Sequence, residues 1–306
     1  MAVHWDDVEP VVLDRGELHG ERRRLGAAAG AVRTGLSRYR LAPGERAMPV
    51  HVHGDEEEIF YVLAGDGLSW QDGRAYRVRA GDCLVHRAGE APHTILGAQG
   101  GLDVLAFAEG SDTGLTWLPR AGVMWAGPHR VPVDAPHPFD AEAAAGPLEV
   151  PEPEAERPAT IVALQDVEAV PFGRGDVSAL RRDLGRAAGS VRSGLQHATV
   201  APGALSAPPH CHSAEEELFV VLEGDGDLLL DGEPPAPVRA GSVVARPAGT
   251  GVAHTFRAGD RGLVLLAYGI REPNDLCFYP RSGKLRARGV DLTFRVQRVH
   301  YWDGEE

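Results

Sequence analysis

Two imidazoles and a carboxylate, at a spacing that can hold one metal ion, stand together in the stretch from His51 to Gly65. On a strand successive side chains alternate between faces, so His51 and His53 point to one side and Val52 to the other. Gly54 and Asp55 reverse the chain. Glu58 then opens a second strand, Ile59 to Leu63, whose β-branched and aromatic content suits a sheet and whose first residue can face the histidines. His93 is the best placed fourth ligand. The whole set recurs as His210, His212, Glu217 and His254, which is much harder to dismiss than a single occurrence. Three neutral imidazoles and one carboxylate suit Fe, Mn, Ni, Co, Cu or Zn and suit Ca or Mg poorly, so the expectation is a divalent transition metal ion, two per chain. Four ligands leave two positions of an octahedral ion for water, substrate or dioxygen, as in a catalytic rather than a structural site. Parity together with the seven-residue distance to Gly65 singles out Glu58 from the run Glu56 to Glu58, and the same reasoning selects Glu217 from the second run; Glu57 and Glu216 are expected to face outward on a solvated surface.

The elements that must position these ligands repeat as well. Residues 25–67 align with 184–226 without a gap, and more than half the positions are identical. A looser match continues through Asp72-Gly73 with Asp231-Gly232 and Leu118-Pro119-Arg120 with Tyr279-Pro280-Arg281, the last pair reading as arms that reach over the other copy. Short Val, Leu, Ile and Phe runs separated by Gly, Asp-Gly and Pro-Gly indicate an all-β chain of sandwich or barrel type. The two Asp-Gly pairs predict tight hairpins. Residues 25–31 and 184–190 are rich in alanine, but their glycines favour turn and strand over helix. Pro, Ala and Glu dominate from Pro136 to Pro158 without a hydrophobic period, as in a solvated linker. The expected division is residues 1–136, a linker over 137–158, and 159–306.

At 306 residues and net charge -13, the chain can bury two cores and offers no electrostatic footprint for nucleic acid or anionic membrane. The first residues lack a secretory pattern and no run is apolar enough to span a bilayer, so a cytoplasmic protein is expected. Cys83, Cys211 and Cys277 are far apart in sequence and form no metal or redox motif. His86 reads as a surface or packed residue, not a ligand.

Gly44, His51, His53, Glu58 and Gly65, with Gly203, His210, His212, Glu217 and Gly224, match the first motif of the cupin superfamily. Gly81, Gly89 and His93, with Gly241, Pro247, Gly249 and His254, match the second; Arg87 stands where it usually has Pro, and the Asn that often follows the last histidine is absent in both halves. The chain therefore resembles the bicupins, which include oxalate decarboxylases and quercetin dioxygenases. The resemblance implies two tandem antiparallel β-barrels, jelly-roll-like cupin domains related by internal duplication, each with a metal inside, packed as an intramolecular pseudo-dimer that a homo-oligomer could extend.

Function follows less directly, because it lives in the site and not the barrel. The leading expectation is an oxygenase acting on a small oxygen-rich molecule chelated to the metal, with Glu58 or Glu217 as the catalytic proton shuttle. A non-redox isomerase, epimerase or lyase using the metal as Lewis acid is the alternative, and a non-catalytic metal or small-molecule binding protein the third. If the strands before the ligands line the cavities, Ser37 and Tyr39 in the first copy and Gln196 in the second face the substrate, with core packing as the equal alternative.

Overall fold

In the computed structural model, which describes residues 2–109, 114–126, 129–131 and 137–305, the apolar runs become strands paired antiparallel in two similar halves. A pair of long strands forms the spine of each: Glu58–Gln71 with His93–Glu109, and Glu217–Leu230 with His254–Ile270. Both pairs shift register at equivalent places, next to Gly65 and Gly224. Such bulges bend a sheet and let it close. Gly65 has φ +80°, and a Cβ there would meet the Gly101 carbonyl oxygen at 2.0 Å; Gly224 is the same against Gly262 at 2.1 Å. The motif glycines are thus the points where the spine must bend. A second, four-stranded sheet in each half carries the second histidine of each pair, on Val52–His53 and on Cys211–His212, while His51 and His210 bridge to His93 and His254.

Apolar side chains fill each barrel separately, and a third cluster joins them: Leu25, Leu36, Ile59 and Phe107 from the first half pack with Leu184, Leu195, Leu218 and Tyr268 from the second. Phe107 and Tyr268, which occupy equivalent positions, stack with centroids 5.2 Å apart. The halves therefore form the expected pseudo-dimer. The segments that cross between them differ from expectation. Leu115–Leu118 and Leu276–Tyr279 pair with Val52–His53 and Cys211–His212 of their own halves. The crossing is made instead by Ala2–His4, which pairs with Ser242–Arg246, and by Ile161–Ala163, which pairs with Asp82–His86.

Other expectations need correction. Leu25–Ala29 and Leu184–Ala187 are short helices, not turn and strand. Their glycines serve packing and termination: a Cβ on Gly26 would meet Leu36 N at 2.8 Å, and Gly30 ends the first helix at φ +84°. Asp72 and Gly73 both have positive φ and make a two-residue turn, whereas Asp231-Gly232 begins a longer loop stretched by Pro234 and Pro235. Residues 137–158 are docked at their start, while most of 144–158 is exposed, as expected of a solvated linker. Within them Pro138–Ala144 is a helix whose Glu142, fully buried, lies 3.0 Å from Nη1 of both Arg46 and Arg120, and Glu154 N donates to Ala75 O. Alanine and glutamate favour helix, and a buried Arg46 needs a carboxylate. Pro136 lies outside the described residues. No helix of the described residues is long and apolar enough to cross a membrane.

Glu57 and Glu216 do face away from their own barrels, but into the other half and not into solvent. Both are buried. Glu216 accepts from the backbone N–H of Val32, Arg33 and Thr34 and from the Thr34 hydroxyl. Glu57 accepts from the hydroxyls of Ser190 and Ser193 and the N–H of Val191 and Ser193. Glu216→Ala leaves the buried N–H and hydroxyl of Thr34 without an acceptor, at about 1–3 kcal/mol each. We expect a loss of about 3 kcal/mol in urea unfolding; a midpoint equal to that of the native chain would show the contact to be dispensable.

Candidate metal centre

In the N-terminal barrel the backbone bridge between His51 and His93 fixes the two rings side by side. His51 Nδ1 lies 2.8 Å from Pro49 O, and His93 Nδ1 3.2 Å from Ala91 O. A carbonyl oxygen can only accept, so both rings carry their proton on Nδ1 and aim the Nε2 lone pair inward. His53 is held from outside by Thr116 Oγ1, 3.1 Å from its Nδ1. All three Nε2 atoms then converge on Glu58 Oε2, at 3.2, 3.5 and 3.1 Å for His51, His53 and His93.

The C-terminal barrel repeats the arrangement. Nε2 of His210, His212 and His254 lie 3.7, 3.5 and 3.0 Å from Glu217 Oε2. His210 Nδ1 is tied to Pro208 O at 2.8 Å. His212 Nδ1 donates to the buried carboxylate of Asp275 at 2.7 Å, where the first barrel uses a hydroxyl. Outer contacts of this kind fix the tautomer and raise ligand basicity.

The donor set fits a cation. His53 Nε2, Glu217 Oε2 and His254 Nε2 are buried with no hydrogen-bond partner, a costly state for polar atoms unless something else binds them. Burial pushes His93 and His210 down to about 4, so both rings are neutral near neutral pH, as ligands must be. Burial opposes ionisation of Glu58, yet the surrounding imidazoles hold it well below the usual carboxylate range, and Glu217 is lowered in the same way. Burial also opposes charging of His212 and His53, but Asp275 and Cys277 raise the His212 ring to about 11 and Glu58 raises His53, so metal binding there would displace a proton from these two rings.

The two barrels differ in what surrounds these ligands. Ser37 Oγ accepts from Arg22 Nε at 3.1 Å, and Tyr39 and Met48 are packed into the barrel core with Phe60, Ile95 and Val104. The equivalent residues in the second half are Gln196, Ala198 and Ala207. There the space is a cavity of about 180 Å³, lined by Gln196, Ala198, Ala207, Phe219 and Phe256, and entered by Arg181, Tyr279 and Arg286 beside His210, Glu217 and His254. It adjoins a wider opening of about 650 Å³ that reaches His212, Asp275 and Cys277. Arg181 stacks on Phe172, 3.5 Å from the ring centroid, and its Nε has no partner. A larger depression of about 910 Å³ around Val12, His19 and Arg40 contains none of the eight ligand candidates.

The structure thus brings together His51, His53, Glu58 and His93, and likewise His210, His212, Glu217 and His254, and it places Gln196 at the second cavity. Ser37 and Tyr39 are engaged by Arg22 and by the core. His86 is packed, stacked on His93 at 3.7 Å. Sequence reasoning missed Arg181, Asp275, Cys277, Tyr279 and Arg286. The repeated arms were the available signal: they pair with the ligand strands, so that Thr116 sits opposite His53 and Cys277 opposite His212.

The cupin domain family model matches residues 37–104 and 196–268. Each half of the chain therefore contains a segment similar to the cupin domain. The chain has the fold of a double cupin, and the solved structures it resembles agree. Over 88% of this chain and 75% of the other, it superposes on oxalate decarboxylase from Bacillus subtilis with a TM-score of 0.58 at 19% identity. Oxalate decarboxylase from Lactobacillus farciminis gives 0.58 at 16% identity over 92% of this chain and 88% of that one. An oxalate-binding protein from Thermotoga maritima is 35% identical over 60 residues, 20% of this chain; the match spans 48% of that relative's length.

Proposed function

We propose that this double cupin is a metal-dependent enzyme with a divalent transition metal in each barrel, and that its C-terminal barrel turns over a small, oxygen-rich, anionic molecule. One observation carries this reading: two matched ligand sets, of which the second opens onto a cavity because Ala198 and Ala207 stand where the first barrel has Tyr39 and Met48. Bound at its four ligands, a metal would supply Lewis-acid charge and, for Fe, Mn, Ni, Co or Cu, a redox step with dioxygen.

The chain supplies the rest. Arg181 and Arg286 offer guanidinium donors for carboxylate or enolate oxygens. Gln196 and the Tyr279 hydroxyl orient the remaining polar atoms, while Phe219 and Phe256 keep the inner end dry. Glu217, with Oε2 unpartnered, is the group that holds or passes a proton in the reaction. Glu58 has the same place in a packed barrel, and we assign it a structural role. The divisions 1–136, 137–158 and 159–306 remain our reading of the domain limits, and three unpaired cysteines suit a reducing, cytoplasmic setting.

We take the reaction to be an oxygenation. A non-redox lyase is the second reading, favoured by the two arginines and by the similarity to proteins named as oxalate decarboxylases. An oxygen electrode separates them. With a panel of small hydroxy- and keto-carboxylates and a redox-capable metal, product should form in step with oxygen consumed. Full turnover under anaerobiosis with zinc bound would establish the lyase.

A further inference from the structure

We propose that Cys277 is an additional, sulfur ligand of the C-terminal metal centre, which makes the two centres of the chain chemically different. The inference rests on the metal reading of that centre.

Cys277 is the cross-strand neighbour of His212, so the two side chains share a face. Its Sγ lies 3.9 Å from His212 Nε2, and the sulfur and one ligand atom each of His210 and His212 all lie within 4.8 Å of one another. Nδ1 of both rings is already committed, to Pro208 O and to Asp275. For His212 the nitrogen near the sulfur is Nε2, the atom that also faces Glu217. The thiol is buried, yet it belongs to none of the apolar clusters, unlike Cys83, which is packed in the core between the halves.

The first barrel provides the contrast. Thr116 stands opposite His53 as Cys277 stands opposite His212. Its hydroxyl bonds Nδ1 of that histidine. In the second barrel the Nδ1 contact has passed to Asp275, which releases position 277 for a residue that faces the ligand side. That residue is a thiol. The N-terminal centre offers nitrogen and oxygen alone; the C-terminal one adds a donor that favours softer ions such as Zn, Cu, Co and Fe over Mn. On binding, the thiol proton leaves to solvent as the metal–sulfur bond forms. A fifth donor leaves one open position of an octahedral ion, to be filled by substrate or by dioxygen and not by both.

The test uses the whole chain, stripped with a chelator and reloaded with Co(II), with cobalt counted by elemental analysis and the near-ultraviolet spectrum recorded. Wild-type protein should hold two cobalt ions and show a sulfur-to-cobalt charge-transfer band. Cys277→Ser should lose the band, while Cys83→Ser and Cys211→Ser keep it. X-ray absorption on the zinc-loaded native chain should find sulfur in the coordination shell, a measurement independent of any variant. Two bound cobalt ions with no band, a band that survives Cys277→Ser, or zinc with only light-atom neighbours would overturn the assignment while leaving the metal reading intact. Cobalt uptake unchanged by His212→Ala would remove that reading itself.

Discussion

A chain carrying Ala198→Tyr and Ala207→Met should keep both metals and lose at least about 100-fold in turnover, the scale expected when a substrate can no longer be held at its reacting distance. The pair gives the C-terminal barrel the residues that the N-terminal barrel already has at these points. Tyr39 and Met48 are buried in a packed core, so the same side chains at 198 and 207 should take up the cavity beside Glu217 and His254. The ligands lie on other strands and are untouched. Metal content and circular dichroism would establish that the variant is folded and loaded. The reciprocal change, Tyr39→Ala with Met48→Ala, should leave turnover within a few-fold of normal. It should cost about 3–5 kcal/mol or more of stability in the first barrel through the cavities left behind. A filled second barrel with native kcat/KM, or loss of turnover from the reciprocal pair, would place the reaction in the first barrel.

Glu217→Gln should lower kcat by about 10²- to 10⁴-fold, the range of a positioned acid or base, while Glu58→Gln should change it little. Glutamine keeps the shape of the side chain and removes the negative charge and the capacity to take a proton. At 217 both losses fall on a carboxylate that faces three imidazoles and opens onto the cavity. At 58 they fall on a carboxylate enclosed by its ligands and by core. Steady-state kinetics on metal-replete variants is the measurement. Equal losses at the two positions would mean that the carboxylates serve only to retain metal, since that duty is the same in both barrels.

The ligand sets were legible in sequence because a strand alternates its faces and because the duplication repeated the pattern. Glu58 and Glu217 were separated from their neighbours by parity and by the seven-residue distance to Gly65 and Gly224. The same rule placed Glu57 and Glu216 outward, which is where they point, but outward from one barrel is inward to the interface. Only the tertiary pairing of the halves shows that Glu216 meets residues 32–34. The crossing strands were missed for a similar reason: Ala2–His4 and Ile161–Ala163 are short, and nothing local to them says which sheet edge they complete. Alanine in residues 25–29 did favour helix, and of the glycines that argued against it Gly26 lets the helix lie on Leu36 while Gly30 ends it. Asp275, Cys277 and Tyr279 reach the second centre through the pairing of their strand with Cys211–His212, a register no spacing in the sequence specifies. The asymmetry between the pockets, by contrast, could be seen in the gapless alignment as Tyr39 against Ala198 and Met48 against Ala207.

The claim on which all of this depends is that the two matched ligand sets hold metal, and counting ions per chain tests it most directly. Freshly purified protein, His53→Ala, His212→Ala and the double variant should be compared by elemental analysis on folded samples. The expected contents are two ions for the native chain, about one for each single variant, since losing one of four ligands and stranding the other three weakens a site severely, and essentially none for the double. A double variant that retains the native metal content would contradict the assignment of both centres.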